Sequence, residues 1–317
     1  MTHRPISLDE IRDATQRISG KVRRTPMLAA TALKSRLPGD GHVVLKLESL
    51  QVTGSFKARG ACSKLGTLSR EQIARGIVTA SGGNHGIAVA YAGWLAGVPA
   101  TIFVPDGVSP LKAEKITGWG AKLVVGGKHW SESNTAALAF TERERATYVH
   151  PFADRAVMAG QGTLAPELLG EDPAIDTVLV AIGGGGLVSG LASGLKALKP
   201  SLRVIGVEPV GAPTLHASLA AGEVVTLPAI TTSVLTMAAL RTDVLNFDIV
   251  RQTVERVVLI EDDDMRAAAR LLWLELGIAA DLSGAAAVAA ILAGKYVPDA
   301  GERVCALVCG AGADVIG

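Results

Sequence analysis

At 317 residues the chain is long enough to bury a large core, and its length points to two compact lobes. A composition of 49% hydrophobic and 19% charged residues excludes a disordered chain. With Lys+Arg at 31 and Asp+Glu at 30 the formal net charge is +1, which offers no electrostatic argument for nucleic acid or an anionic membrane as partner.

The first segment, "MTHRPISLDEIRDATQRISGKVRR", is charged throughout and lacks a secretory apolar core. Within it "SLDEIRDATQRI" predicts an amphipathic helix with Ser7 as N-cap and Glu10 three residues on, a capping box. Strands are then predicted at 42–48 (HVVLKLE), 76–81 (GIVTAS), 100–105 (ATIFVP), 122–127 (KLVVGG) and 147–152 (TYVHPF). The continuous apolar runs at 176–182, 203–209 and 303–310 are those of parallel strands buried on both faces. Helical spacing lies between them. Alternation of this kind predicts an α/β fold with two open, mostly parallel twisted sheets flanked by helices. Strand–helix order restarts near "HPFADR" (150–155), a candidate domain boundary.

Two uncharged runs, 79–105 and 177–195, invite a membrane reading. Glycines interrupt both, each costing a helix interior roughly 0.8–1 kcal/mol, and Pro99 breaks the first. Both are expected to be buried strand, glycine loop and helix, and the expected setting is the cytoplasm. The three cysteines, Cys62, Cys305 and Cys309, form no disulfide framework and no zinc spacing.

Three stretches carry chemistry. In "AIGGGGLVSGL" a strand ends at Ile182, and Gly183, Gly184, Gly185 and Gly186 lead into a helix near Leu187. Such a run lets backbone amides and a helix N-terminus seat a phosphate. Neither the dinucleotide nor the P-loop glycine pattern is met, so the choice lies between a cradle for another phosphate and a plain tight turn. In "TASGGNHGIAVAYAG" a second loop precedes a second helix, with Ser81 and Asn84 as side-chain donors suited to a carboxylate. His85 there is expected to pack or cap more often than to act as a base. In "VTGSFKARGA", Ser55 is the expected cap of a helix running through Leu68, which places Lys57 in the first turn. A cation there opposes the helix dipole, which lowers its pKa. An isolated lysine would be a solvated charge. Beside a phosphate cradle and a carboxylate loop, Lys57 becomes a reactive amine suited to an aldehyde cofactor and an amino acid.

"TGSFKARGA", "SGGNHG", "HPFAD…GQGT", "GGGGL", "GVEP" and "CGAG", in that order, resemble the β-family (fold type II, tryptophan synthase β-like) pyridoxal-phosphate enzymes. Within that family the chain resembles the threonine/serine dehydratase and serine racemase group, from residue 23 to the C-terminus. The resemblance implies that Lys57 carries pyridoxal 5'-phosphate as a Schiff base and removes the substrate Cα proton. It implies Phe56 against the cofactor ring, Asn84 at its 3'-oxygen, and Gly183 to Leu187 around its phosphate. It also implies Cys309 facing the ring nitrogen, and Ser81, Gly82, Asn84 and His85 surrounding the substrate carboxylate. The implied division is a large cofactor-binding domain, 1–46 plus 151–317, and a small domain, 47–150, carrying Lys57 and the carboxylate loop. A homodimer acting on a small amino acid is implied as well.

The departures narrow the group. Racemases of this kind carry a hydroxyl base immediately before "GNHG", where this chain has Gly82. Threonine synthases carry an acid where Ala58 stands. Relatives also hold a divalent or monovalent cation near "EP". Glu208 matches the first acid and the Ala212 carbonyl is a candidate ligand, but Thr214 replaces the second acid. Asp262, Asp263 and Asp264 precede a helix and are expected to cap it. The end at Gly317 leaves no room for a regulatory domain, so a catabolic or specialised role is expected. The expected reaction is dehydration and deamination of L-threonine or L-serine to a 2-oxo acid and ammonia. Segment 231–250 departs from ordinary threonine dehydratases, which leaves open hydroxyectoine-breakdown or hydroxyaspartate dehydratases. Serine racemase and a non-catalytic phosphate-binding protein are further alternatives.

Overall fold

The computed structural model describes residues 2–313. Ten strands form two sheets: β1 (Met27–Ala29), β2 (His42–Leu47), β3 (Ile77–Ala80), β4 (Ala100–Val104), β5 (Lys122–Val125), β6 (Thr147–Tyr148), β7 (Thr177–Ala181), β8 (Arg203–Pro209), β9 (Arg256–Ile260) and β10 (Arg303–Val308). The larger sheet has the order β1-β2-β10-β7-β8-β9 and the smaller β5-β4-β3-β6. Among the strands of the described residues only β1 runs antiparallel to its neighbour, and the other strand pairs are parallel. This is the expected α/β architecture, since strands buried on both faces need crossover helices to cover them. The capping box at Ser7 and Glu10 is formed, and its helix spans Leu8–Ile18.

Two strands lie outside the expectation. β1 has three residues on a sheet edge, too short for a periodic signal, and β9 follows a helix (Val244–Thr253) with little separating sequence. Predicted strand 147–152 shrinks to two paired residues. Its remainder turns away, with the His150 ring nitrogen accepting from the amides of Phe152 and Ala153.

The two sheets are joined beneath Lys57 by a buried ion cluster. Arg59, on the helix Lys57–Leu65, is fully buried. Its guanidinium donates to both Glu48 oxygens (2.8 and 2.9 Å) and both Glu167 oxygens (2.7 and 2.9 Å), and to Thr163 Oγ1 at 3.1 Å. Glu48 directly follows β2, and Glu167 lies on the helix Leu164–Glu171. Lys46, also fully buried, donates to the Thr25 carbonyl at 2.6 Å and to Glu171. Five donors in a rigid fork match two carboxylates, so the buried cation is fully paired. Removing the cation strands Glu48 and Glu167, a change that costs about 3–5 kcal/mol for a buried pair. We therefore expect Arg59→Leu to lower stability to urea by that order and to reduce cofactor retention. Equilibrium unfolding of the purified variant checks it.

Candidate active site

The lysine stretch is shaped by the end of β10. Ser55 pairs antiparallel with Gly310, the Phe56 amide donates to the Cys309 carbonyl at 3.2 Å, and Ala311 donates back to Gly54 at 2.7 Å. Ser55 therefore does not cap the helix: its backbone is tied up as a strand-like bridge, and its buried hydroxyl has no hydrogen-bond partner. The helix starts at Lys57 after Phe56 and ends at Leu65, short of the expected Leu68. The Lys57 Nζ donates to the Pro151 carbonyl at 2.7 Å and lies 5.1 Å from the Phe56 ring centroid. Burial pulls its pKa from 10.5 to about 8, with Cys309 pulling weakly the other way. The lowered pKa thus comes from desolvation.

At the C-terminal end of β3, Ser81 Oγ accepts from the Gly83 amide at 3.3 Å, and the helix Asn84–Ala96 begins with no side-chain cap. Asn84 Nδ2 donates to Asp281 Oδ2 at 2.9 Å, so one of its donors faces protein where a ligand was expected. His85 is buried, with Nε2 on the Val149 carbonyl at 3.0 Å and Nδ1 without a partner. Burial, then the Lys57 charge, pushes its pKa down to about 3, so the ring is neutral and packed. A Cβ built on Gly82 would stand 3.0 Å from Val108 Cγ2 and 3.6 Å from Val104 Cγ1. A side chain there must displace a β-branched neighbour.

At the end of β7 the four glycines turn into the helix Gly186–Leu198. Gly185 has φ +97°, and a Cβ on Gly184 would fall 2.3 Å from the Phe152 ring, so glycine is required at both. The helix has no side-chain cap, and the Ser189 amide to the Gly185 carbonyl (2.9 Å) opens its ladder. The amides of Gly186, Leu187 and Val188 thus have no acceptor within the helix. Asn246, beside this turn, keeps a buried Oδ1 with no partner. The turn Leu235–Met237, within the divergent segment 231–250, reaches both loops. A Cβ built on Gly83 would be 3.7 Å from Thr236 Cγ2, and one on Gly183 would be 3.0 Å from the Thr236 carbonyl.

Cys309 follows β10, buried, with Sγ 3.4 Å from the Ser283 carbonyl. Burial, reinforced by Asp281, raises its pKa, so it is a thiol at neutral pH. Glu208 and Ala212, the expected cation ligands, are both engaged by backbone amides. The Glu208 oxygens accept the amides of Leu215 and His216 at 2.8 Å each, at the start of the helix Thr214–Ala221. The Ala212 carbonyl accepts from Thr214. Burial raises the Glu208 pKa to about 8, and no cluster of three His, Cys, Asp or Glu side chains stands ready for a metal among the described residues. Asp262, Asp263 and Asp264 fall in the first turn of the helix Asp262–Leu276, whose N-cap is Glu261; Asp264 completes the capping box, while the Asp262 carboxylate accepts from Thr232 and Ser233.

The family model for pyridoxal-phosphate dependent enzymes matches residues 18–310. The chain belongs to that family. Among its relatives is the L-threonine ammonia-lyase of Geobacter sulfurreducens, 37% identical over 94% of this chain and 73% of that protein. The phenylserine dehydratase of Ralstonia pickettii is 36% identical over 97% of this chain and 93% of that protein. The solved structure of maize serine racemase superposes with a TM-score of 0.93 at 33% identity, covering 98% of this chain and 94% of that one. The geometry fits the family's cofactor: an uncapped helix N-terminus beside required glycines suits a phosphate, and a desolvated amine suits an aldehyde.

Arg59, Glu48 and Asp281 escape a reading of the sequence, because a charged residue carries no local mark of burial. No helix among the described residues is long and apolar enough to cross a membrane. With Lys57 titrating near 8, about a tenth of the free amine is unprotonated at pH 7. The uptake rate of pyridoxal 5'-phosphate by the apo-protein should rise with pH and level off above about 8. An ordinary lysine would keep it rising toward 10.5. Absorbance-monitored uptake between pH 6 and 10 checks this.

Proposed function

We propose that the protein is a pyridoxal-phosphate dependent ammonia-lyase that dehydrates and deaminates a β-hydroxy amino acid of the L-threonine or L-serine type. The carrying observation is the desolvated Lys57 amine, held at 2.7 Å on the Pro151 carbonyl, in a chain with two glycine loops that end strands of different sheets. The names of the relatives, threonine ammonia-lyase and phenylserine dehydratase, support the same reaction type.

The amides of Gly183, Gly184, Gly185, Gly186 and Leu187 would hold the cofactor phosphate, with Phe56 and Asn84 at its ring and Cys309 at the ring nitrogen. When bound, pyridoxal phosphate supplies a sink for the electron pair left on Cα as its proton departs. Lys57 Nζ takes that proton. The loop from Ser81 to His85, with its amides and helix N-terminus, holds the substrate carboxylate and thereby orients Cα toward the lysine. The neutral His85 exchanges no proton. The thiol of Cys309 is a weak donor, which leaves the ring nitrogen free of enforced protonation and favours prompt loss of the β-hydroxyl. The atoms balance: water lost across Cα and Cβ is regained on hydrolysis to the 2-oxo acid and ammonia.

Gly82 offers no proton on the opposite face, and Val108 crowds any side chain placed there, which argues against racemization. The working division is 1–46 plus 151–317 around the cofactor and 47–150 around the carboxylate loop. A cytoplasmic homodimer is the setting that the resemblance supports. The test is a panel of threonine, serine, hydroxyaspartate and phenylserine, scoring 2-oxo acid and inverted enantiomer. Release of 2-oxo acid without inversion is expected, and Lys57→Ala should lower the rate by at least about a thousandfold. No 2-oxo acid from any substrate, or dominant inversion, overturns the reading.

A further inference from the structure

Asp281 is buried and N-caps the helix Leu282–Leu292, which covers the larger sheet. Its two oxygens are divided. Oδ1 takes the Ser283 hydroxyl at 2.7 Å and the Gly284 amide at 2.5 Å, the capping bonds. Oδ2 takes Asn84 Nδ2 at 2.9 Å, from the first residue of the helix that follows β3 in the smaller sheet. The contact therefore spans the two sheets.

Glycine makes the approach feasible. A Cβ on Gly310 would stand 2.7 Å from Asp281 Oδ2 and 3.0 Å from Asn84 Nδ2, and one on Gly312 would stand 2.6 Å from Asp281 Cβ. The same capping turn reaches Cys309, whose Sγ lies 3.4 Å from the Ser283 carbonyl. One turn of chain thus touches both side chains assigned above to the cofactor ring, Asn84 at its 3'-oxygen and Cys309 at its nitrogen.

A carboxylate only accepts hydrogen bonds, so the Asn84 atom facing it has to be the nitrogen. That choice fixes which way the rest of the amide points. We propose that Asp281 is a positioning residue for the cofactor site, locking the rotation of the Asn84 amide through Oδ2 while its capping turn holds Cys309. This rests on the cofactor assignment of Asn84 made above.

Asp281→Asn is the informative variant. Asparagine caps helices as well as aspartate does, so the fold is retained. Its carbonyl stays on the Ser283 and Gly284 donors, which turns its NH2 group toward Asn84. Two donors then face each other, and the Asn84 amide has to flip. Asp281→Ser is the second variant, keeping a capping oxygen while lacking Oδ2.

The test is a double-mutant cycle of Asp281→Asn with Asn84→Ala. Its readouts are the pyridoxal 5'-phosphate dissociation constant of the apo-protein and the visible absorbance maximum of the loaded protein, with apo-protein melting as the fold control. We expect each single variant to weaken cofactor binding by roughly tenfold, the worth of a hydrogen bond to a charged group. Asp281→Asn should also shift the absorbance maximum. In the Asn84→Ala background it should cost no more than about a further twofold, because the two act as one unit. Losses that multiply to about a hundredfold in the double variant, or an Asp281→Asn protein with unchanged affinity and spectrum, overturn the proposal. Should Asp281→Asn fail to melt cooperatively, Asp281→Ser carries the cycle with the same outcomes. Wild-type protein that binds the cofactor and releases no 2-oxo acid would refute the dehydratase reading and leave this cycle fully readable.

Discussion

The buried guanidinium of Arg59 is the constraint from which the site is built. Two residues after Lys57, it is clamped between Glu48 at the end of β2 and Glu167 on a helix of the larger sheet's layer. An uncompensated charge in that position would be intolerable, so all three side chains have to meet, and meeting fixes the helix that carries the lysine. The backbone bridge from Ser55 to Gly310 fixes the same segment from its other end. Lys57 is thus held from both sides and buries an amine whose own pKa falls as a consequence.

Around that amine the two sheets contribute by one geometric rule. Each offers a glycine turn at the carboxyl end of a parallel strand, β3 and β7, opening into a helix with no side-chain cap. Ligands of open α/β sheets gather at such ends because the amides converge there and the strands leave room above them. The turn Leu235–Met237 touches both loops and so ties them together.

Much of this was legible in the chain itself, for physical reasons. Short continuous apolar runs such as 176–182 and 203–209, bounded by turn residues, read as strands covered on both faces, and the glycine run after 176–182 reads as a turn into a helix. Ser7 and Glu10 announce their helix by a local hydrogen-bond pattern. Other features depend on distant partners. Ser55 has the composition of a cap, yet Gly310, more than two hundred residues on, claims its backbone. Glu208 carries no local sign of its partners, and only the folded chain brings the amides of Leu215 and His216 to its oxygens. Arg59 and Asp281 look like surface charges, and only the folded chain brings Glu48, Glu167 and Asn84 to them.

The central claim is that Lys57, and no other amine, carries the cofactor. Borohydride reduction of the loaded protein, followed by proteolysis and mass-spectrometric mapping, tests it most directly. The account predicts one stoichiometric pyridoxyl adduct, on Lys57. An adduct on Lys46 or on a surface lysine, with Lys57 unmodified, would contradict it.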